Sequence, residues 1–107
     1  MLAPRSATSK ASVGLPPARF RVFNYPNPVS ATTRIEYELP YDGHVNIILY
    51  EVLGREVATL INGYKTAGYH NTVFDVVSLQ KGIYYYKVIF NGIDKTFTRS
   101  AKMIVVK

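Results

Sequence analysis

The stretch Val45-Asn46-Ile47-Ile48-Leu49-Tyr50-Glu51-Val52-Leu53-Gly54-Arg55-Glu56-Val57 decides the fold. Val45, Ile47 and Leu49 recur at period two, which puts them on one face of a half-buried strand. β-branched residues and leucine suit such a pleated surface. The pattern breaks at Leu53-Gly54, where glycine supplies the positive φ of a tight turn. Arg55 and Glu56 put charge on that turn, and Val57 opens the next apolar run. The stretch is read as a central hairpin with strands stacked on both sides.

Working outward toward the N-terminus, Thr32 to Leu39 alternates cleanly. Ile35, Tyr37 and Leu39 face inward, while Arg34, Glu36 and Glu38 face water. Phe20 to Tyr25 is a further strand, stopped by Pro26-Asn27-Pro28, whose prolines remove ladder donors. Residues 1–19 are rich in Ala, Ser and Pro and lack periodicity, so they read as a disordered leader or linker. The folded domain is placed at 20–107.

Toward the C-terminus, Val57 to Ile61 forms the hairpin's second arm, closed by an Asn62-Gly63 turn, with Tyr64 to Gly68 as a loop. Tyr69 to Asp75 is a strand, and Val76 to Lys81 a crossover with Leu79 as a core plug. Gly82 opens the strand Ile83 to Phe90, whose even face (Tyr84, Tyr86, Val88, Phe90) is buried. Asn91-Gly92 is the signature of a two-residue type I′ turn. The last strand spans Ile93 to Lys107, with a bulge near Ser100 where Lys95 and Arg99 interrupt its apolar face. About seven short strands, regular turn signals and no helical period give an all-β fold. The expected architecture is an immunoglobulin-like antiparallel β-sandwich.

The 107 residues suffice for one core. There is no cysteine, so disulfides and thiolate metal sites are excluded and packing must stabilise the chain. No apolar run approaches the ~18 residues of a membrane span, so no membrane insertion is expected. The first residues lack the apolar core of a secretory signal peptide. The net charge is +6, from 13 basic and 7 acidic side chains. These charges stand singly along strands, which fits a solvated basic surface and not a nucleic-acid track.

Catalytic chemistry finds no support. His44 and His70 lie on different strands without a cysteine or carboxylate cluster, so neither metal nor cofactor is expected. Glu36 and Glu38 share a wet strand face, unlike the partly buried carboxyl pair of a glycosidase. Ser78 and Ser100 lack a Gly-x-Ser-x-Gly elbow, and no glycine-rich phosphate loop is present. Nine tyrosines leave one open question. Tyr84 and Tyr86 are assigned to the core. Tyr41, Tyr64, Tyr69 and Tyr85 are placed at the surface, where an aromatic row would favour sugar stacking.

Four segments together resemble the type A C-terminal sorting domain of the type IX secretion system. They are Asn24-Tyr25-Pro26-Asn27-Pro28 with Thr32 to Ile35; Tyr50 to Leu60 around Leu53-Gly54-Arg55; Ala67-Gly68-Tyr69-His70 leading to Phe74-Asp75; and Leu79 through Gly82-Ile83-Tyr84-Tyr85-Tyr86 with the terminal Ala101-Lys102-Met103-Ile104-Val105-Val106-Lys107. The resemblance spans Phe23 to Lys107. It implies a non-catalytic, immunoglobulin-like signal domain. Such a domain follows an N-terminal cargo protein and carries it from the periplasm through the outer-membrane translocon to the cell surface. A sortase-like peptidase then removes the signal. Gly82, Tyr84 and Lys102 to Lys107 match the motif positions implied in translocon recognition. Pro26, Asn27, Pro28, Leu53, Gly54 and Arg55 match structural motif positions.

The chain is also similar to the immunoglobulin-like module of flagellar hook-capping proteins, through Leu53-Gly54-Arg55 and Gly82-x-Tyr84. A carbohydrate-binding sandwich is a third reading. The terminal strand is expected to offer an open backbone edge to a receptor strand. Removing Val105, Val106 and Lys107 is expected to expose little core. Gly54 is expected to need positive φ, and Gly82 to tolerate a side chain better.

Overall fold

The computed structural model describes residues 16–107; most of the expected leader, residues 1–15, lies outside the described residues. Seven strands follow in order: β1 Arg21–Tyr25, β2 Thr32–Leu39, β3 Gly43–Glu51, β4 Glu56–Lys65, β5 Gly68–Asp75, β6 Gly82–Asn91 and β7 Thr96–Val105. All their ladders are antiparallel. They form a three-stranded sheet, β1-β2-β5, facing a four-stranded sheet, β4-β3-β6-β7.

Period two explains the layers, since alternate side chains of each strand enter the space between the sheets. Ile35, Tyr37 and Leu39 come from one sheet. Val45, Ile47, Leu49, Tyr84, Tyr86, Val88, Phe90, Met103 and Val105 come from the other, and all are buried. Tyr86 crosses the core with its hydroxyl donating to Asn24 Oδ1 at 3.0 Å, so its polar tip is satisfied. At one end the core is closed by Phe20, whose ring stacks on Phe90 at 5.4 Å and tilts against Phe97 at 5.7 Å. Pro17 and Phe20 are both buried, so packing begins just before β1.

Several local expectations give way to register. Asn62 and Gly63 are not a turn. They continue β4 and pair with Asn46 and Val45, because β3 extends back to Gly43 and its core face needs a partner along its full length. Asn91-Gly92 does not close a two-residue turn either. Asn91 pairs with Thr96, and Gly92 N donates to Lys95 O at 2.8 Å, which leaves the four-residue loop 92–95 with Ile93 outside the last strand. No bulge occurs at Ser100: β7 stays in register with β6 from Thr96 to Val105. Irregularities fall instead in the β3–β4 ladder, between Ile47 and Ile48 and between Leu49 and Tyr50. Tyr41 packs on Phe90 at 5.5 Å and is half-buried. Glu38, expected in water, is 7% exposed because Arg21 and Tyr69 flank it across both neighbouring strands.

Gly54 has φ +93° and Gly82 φ +152°, both in the region that favours glycine. Open space surrounds both, so backbone strain is the whole cost of a side chain. The expectation of a milder loss at Gly82 is reversed, since its φ lies further from the left-handed well that other residues visit. Gly54→Ala and Gly82→Ala are each predicted to lose about 1–3 kcal/mol, Gly82→Ala at least as much as Gly54→Ala, in denaturant titrations.

Burial raises the Tyr86 phenol from 10.0 to about 12 and raises Tyr37 in the same direction. A phenol held above its unfolded pKa supports the fold at every pH below that unfolded value. That support is lost as pH climbs through the folded value. The stability gap between the parent and Tyr86→Phe is therefore predicted to be constant up to pH 10.0 and to shrink toward about 12. Urea midpoints across that window check it.

Candidate functional site

The segments singled out in the sequence lie far apart in the chain, but topology brings most of them to one pole. The loop 26–31, the turn 52–55, the crossover 76–81 and the end of β7 all sit where β2 and β6 begin and β1, β3 and β5 end. The chain enters at the opposite pole through residues 16–20, beside the loops 40–42, 66–67 and 92–95. The Ala67-Gly68-Tyr69-His70 motif starts at that entry pole.

Each segment of the motif pole is fixed by its own polar bonds. Pro26 and Pro28 both follow cis peptide bonds. Between them, Asn27 acts as a surrogate strand. Its Nδ2 donates to Lys102 O at 2.8 Å and its Oδ1 accepts from Ile104 N at 2.9 Å. Val29 continues the ladder: Val29 N donates to Ile104 O at 2.8 Å, and Val106 N donates to Val29 O at 2.9 Å. Asn24 and Thr33 tie the loop to β2, through Asn24 Nδ2 to Thr33 Oγ1 at 3.2 Å and Thr33 Oγ1 to Pro26 O at 3.0 Å.

The 52–55 turn is built around Glu51. Its carboxylate accepts from Arg55 at 2.7 Å and from Leu53 N at 3.2 Å, while Gly54 N donates to Glu51 O at 2.8 Å. The result presents Leu53 at 90% exposure. In the crossover, Asp75 Oδ1 accepts from Val77 N at 2.8 Å, which holds Val77 outward at 75% exposure while Val76 is buried. Leu79 packs against the core as expected. Lys107 Nζ donates to Val77 O at 2.9 Å and also to Leu79 O.

This geometry sorts the expected recognition residues. Met103, Val105 and Tyr84 are core, the Tyr84 hydroxyl donating to Gln80 O at 2.8 Å. Lys102, Val106 and Gly82 reach the surface, and Ile104 is half-buried. The expected open edge of the terminal strand is closed over Lys102 to Val106 by Asn27 and Val29. Nor is Val105 peripheral: it is 2% exposed, so its removal opens the core. Sequence reading missed the exposed apolar partners at this pole, Tyr25, Val52, Leu53, Val73, Val77 and Ile83. Only their position at turns and strand ends could have hinted at them.

Elsewhere the residues of possible chemistry serve the fold. His44 Nε2 meets Asn62 Oδ1 at 2.7 Å, and His70 Nε2 meets Thr66 O at 2.7 Å while its ring stacks on Tyr37 at 5.2 Å. Among the described residues no group of three or more His, Asp or Glu side chains is placed to hold a metal, and no helix is long and apolar enough to cross a membrane. The most exposed tyrosines, Tyr25, Tyr64 and Tyr85, stand on β1, β4 and β6, strands that do not adjoin one another. They do not make the continuous row that sugar stacking would use.

The family model described as "Secretion system C-terminal sorting domain" matches residues 24–106. No curated protein matches the chain. Among solved structures, the chain is similar to part of dimeric latent PorU from Porphyromonas gingivalis, at TM-score 0.67 and 23% identity over 87% of this chain. It corresponds to only 10% of that chain's length, and at this identity the likeness speaks for the fold alone.

The clamp makes a prediction. Asn27→Ala removes two bonds to the β7 edge and is expected to cost about 1–3 kcal/mol. Deleting Val105, Val106 and Lys107 is expected to cost more, since burying a valine side chain alone is worth about 1.5–3 kcal/mol. Equilibrium denaturation of the two variants beside the parent measures both.

Proposed function

The chain belongs to the secretion system C-terminal sorting domain family, and we propose that its motif pole is the surface a type IX translocon reads. In this reading the domain is a non-catalytic signal. It accompanies an N-terminal cargo through the periplasm and across the outer membrane to the cell surface, where a sortase-like peptidase removes it.

One observation carries the proposal. Chain segments up to about eighty residues apart converge on the pole facing away from the chain's entry, and there they hold apolar side chains in water. Leu53 and Val77 stand exposed, and a carboxylate, Glu51 or Asp75, accepts from the backbone N–H of each, which fixes the turn that carries the side chain. An ordered backbone under apolar anchors suits a docking surface, because less backbone freedom is lost on binding. The terminal Lys102, Val106 and Lys107 border the same surface.

The test uses a reporter fused ahead of residues 1–107 in a host with the secretion system. Leu53→Ser and Val77→Ser are exposed changes expected to alter stability by no more than about 0.5 kcal/mol. They are predicted to leave the reporter in the periplasm. Ile93→Ser and Tyr64→Ser, at the entry pole, are predicted to leave display intact. Unchanged display for the double variant Leu53→Ser/Val77→Ser, with its melting point preserved, would count against the motif pole. It would favour the alternative of a structural immunoglobulin-like module.

A further inference from the structure

β7 is an edge strand, but its cover is uneven. The bonds of Lys102, Ile104 and Val106 to Asn27 and Val29 show that the even residues of β7 aim their backbone groups away from β6. By the same alternation Thr98 and Ser100 also aim outward. Among the described residues no loop covers them there, and the one side-chain bond to that outward edge is from Arg99's own guanidinium, which donates to Thr98 O at 3.1 Å. Facing this free edge across the gap between the sheets lies the edge strand β1. The gap is a cleft of about 360 Å³, lined by Arg19, Phe20, Arg21, Arg99, Ser100 and Ala101 among others.

The cleft is basic. Three arginines and no carboxylate side chain line it. Arg99 lies over Phe20 at 5.5 Å and over Phe97 at 6.0 Å, so its guanidinium is held by two rings while its charge stays at the cleft mouth. Arg21 has a carboxylate nearby only at 3.9 Å, from Glu38 on the neighbouring strand. An unpaired strand edge beside clustered guanidiniums sets two requirements on a ligand. It must have a backbone that can extend the ladder, and it must carry negative charge on the side facing the cleft.

We propose that the Thr96–Ala101 half of β7, with Arg19 and Arg21 opposite, is a docking groove for an extended acidic peptide segment of a partner protein. The segment adds as a strand outside β7, bonding to the backbone at Thr98 and Ser100, and its carboxylates engage the three arginines. The groove lies along the side of the sandwich, apart from the motif pole, and does not depend on the sorting reading.

The probe is a capped alternating Val-Glu peptide of about eight residues, the length of an ordinary strand, titrated into the full chain at low salt. Calorimetry and backbone amide shifts are the readouts. Saturable binding is expected, with the largest shifts at Thr98 and Ser100 and affinity that falls as salt rises. Arg99→Ala is expected to weaken it about tenfold. Ser100→Pro removes an outward N–H without taking a bond from β6, so it should fold and bind poorly. If that variant fails to fold, the same peptide with alternate backbone nitrogens methylated replaces it and should bind poorly to the parent. Equal binding by the methylated peptide, or by a Val-Lys peptide, overturns the proposal. So does tripolyphosphate competing at the same shifts as strongly as the peptide, which would make the cleft a general anion site. If the Val-Glu peptide does not bind and Arg99→Ala self-associates, the arginines are guards against edge pairing and the proposal falls.

Discussion

The structure depends on closing one sheet edge without a covalent link. Met103 and Val105 are core residues on the last strand of the chain, and that strand has a sheet partner on one side only. Left so, its end would fray and draw two buried side chains into water. Asn27 and Val29 supply the missing side. The Asn27 amide offers a donor and an acceptor with the spacing of a peptide unit, and Val29 adds a true backbone bridge. Those few bonds come from a loop of the opposite sheet, so the same contact fixes the edge and staples the two layers. A chain with no cysteine has no disulfide to do either job.

The segments that carry the family resemblance therefore have a physical reading in this chain. Pro26-Asn27-Pro28 is scaffolding for the C-terminus, since its prolines give up donors where no ladder exists and leave the asparagine free to reach β7. Leu53-Gly54-Arg55 works with Glu51 to shape a turn whose product is one apolar side chain held in water. The terminal segment divides by parity: Ala101, Met103 and Val105 pack in or against the core, and Lys102, Ile104 and Val106 meet the clamp. Core and clamp are thus interleaved residue by residue.

Much of this was legible in the sequence because the core is regular. Ile35, Tyr37 and Leu39, and the even face of β6, follow the period of a strand, and each lies where that period puts it. The turn at Gly54 was legible because its geometry is local. Asn62-Gly63 and Asn91-Gly92 misled for the complementary reason. A turn dipeptide states only what the backbone tolerates, while the length of β3's and β6's buried faces decides where a strand stops. The clamp itself was out of reach, because it joins residues seventy-five and more apart through side-chain amides that no periodicity marks. The exposed Leu53 and Val77 were equally hidden, since an apolar residue in a sequence looks the same whether it is meant for the core or for water.

The positions of the two ends bear on how the domain withstands force. The chain enters beside the start of β1 and leaves past the end of β7, at opposite poles and in different sheets. Tension applied between those ends runs parallel to the strands. β1 is drawn along β2, and β7 along β6, so every rung of each ladder shares the load at once instead of opening one after another. The Asn27 and Val29 bonds lie in the same direction of slip. A sandwich loaded this way resists like a lap joint in shear, not like a zipper.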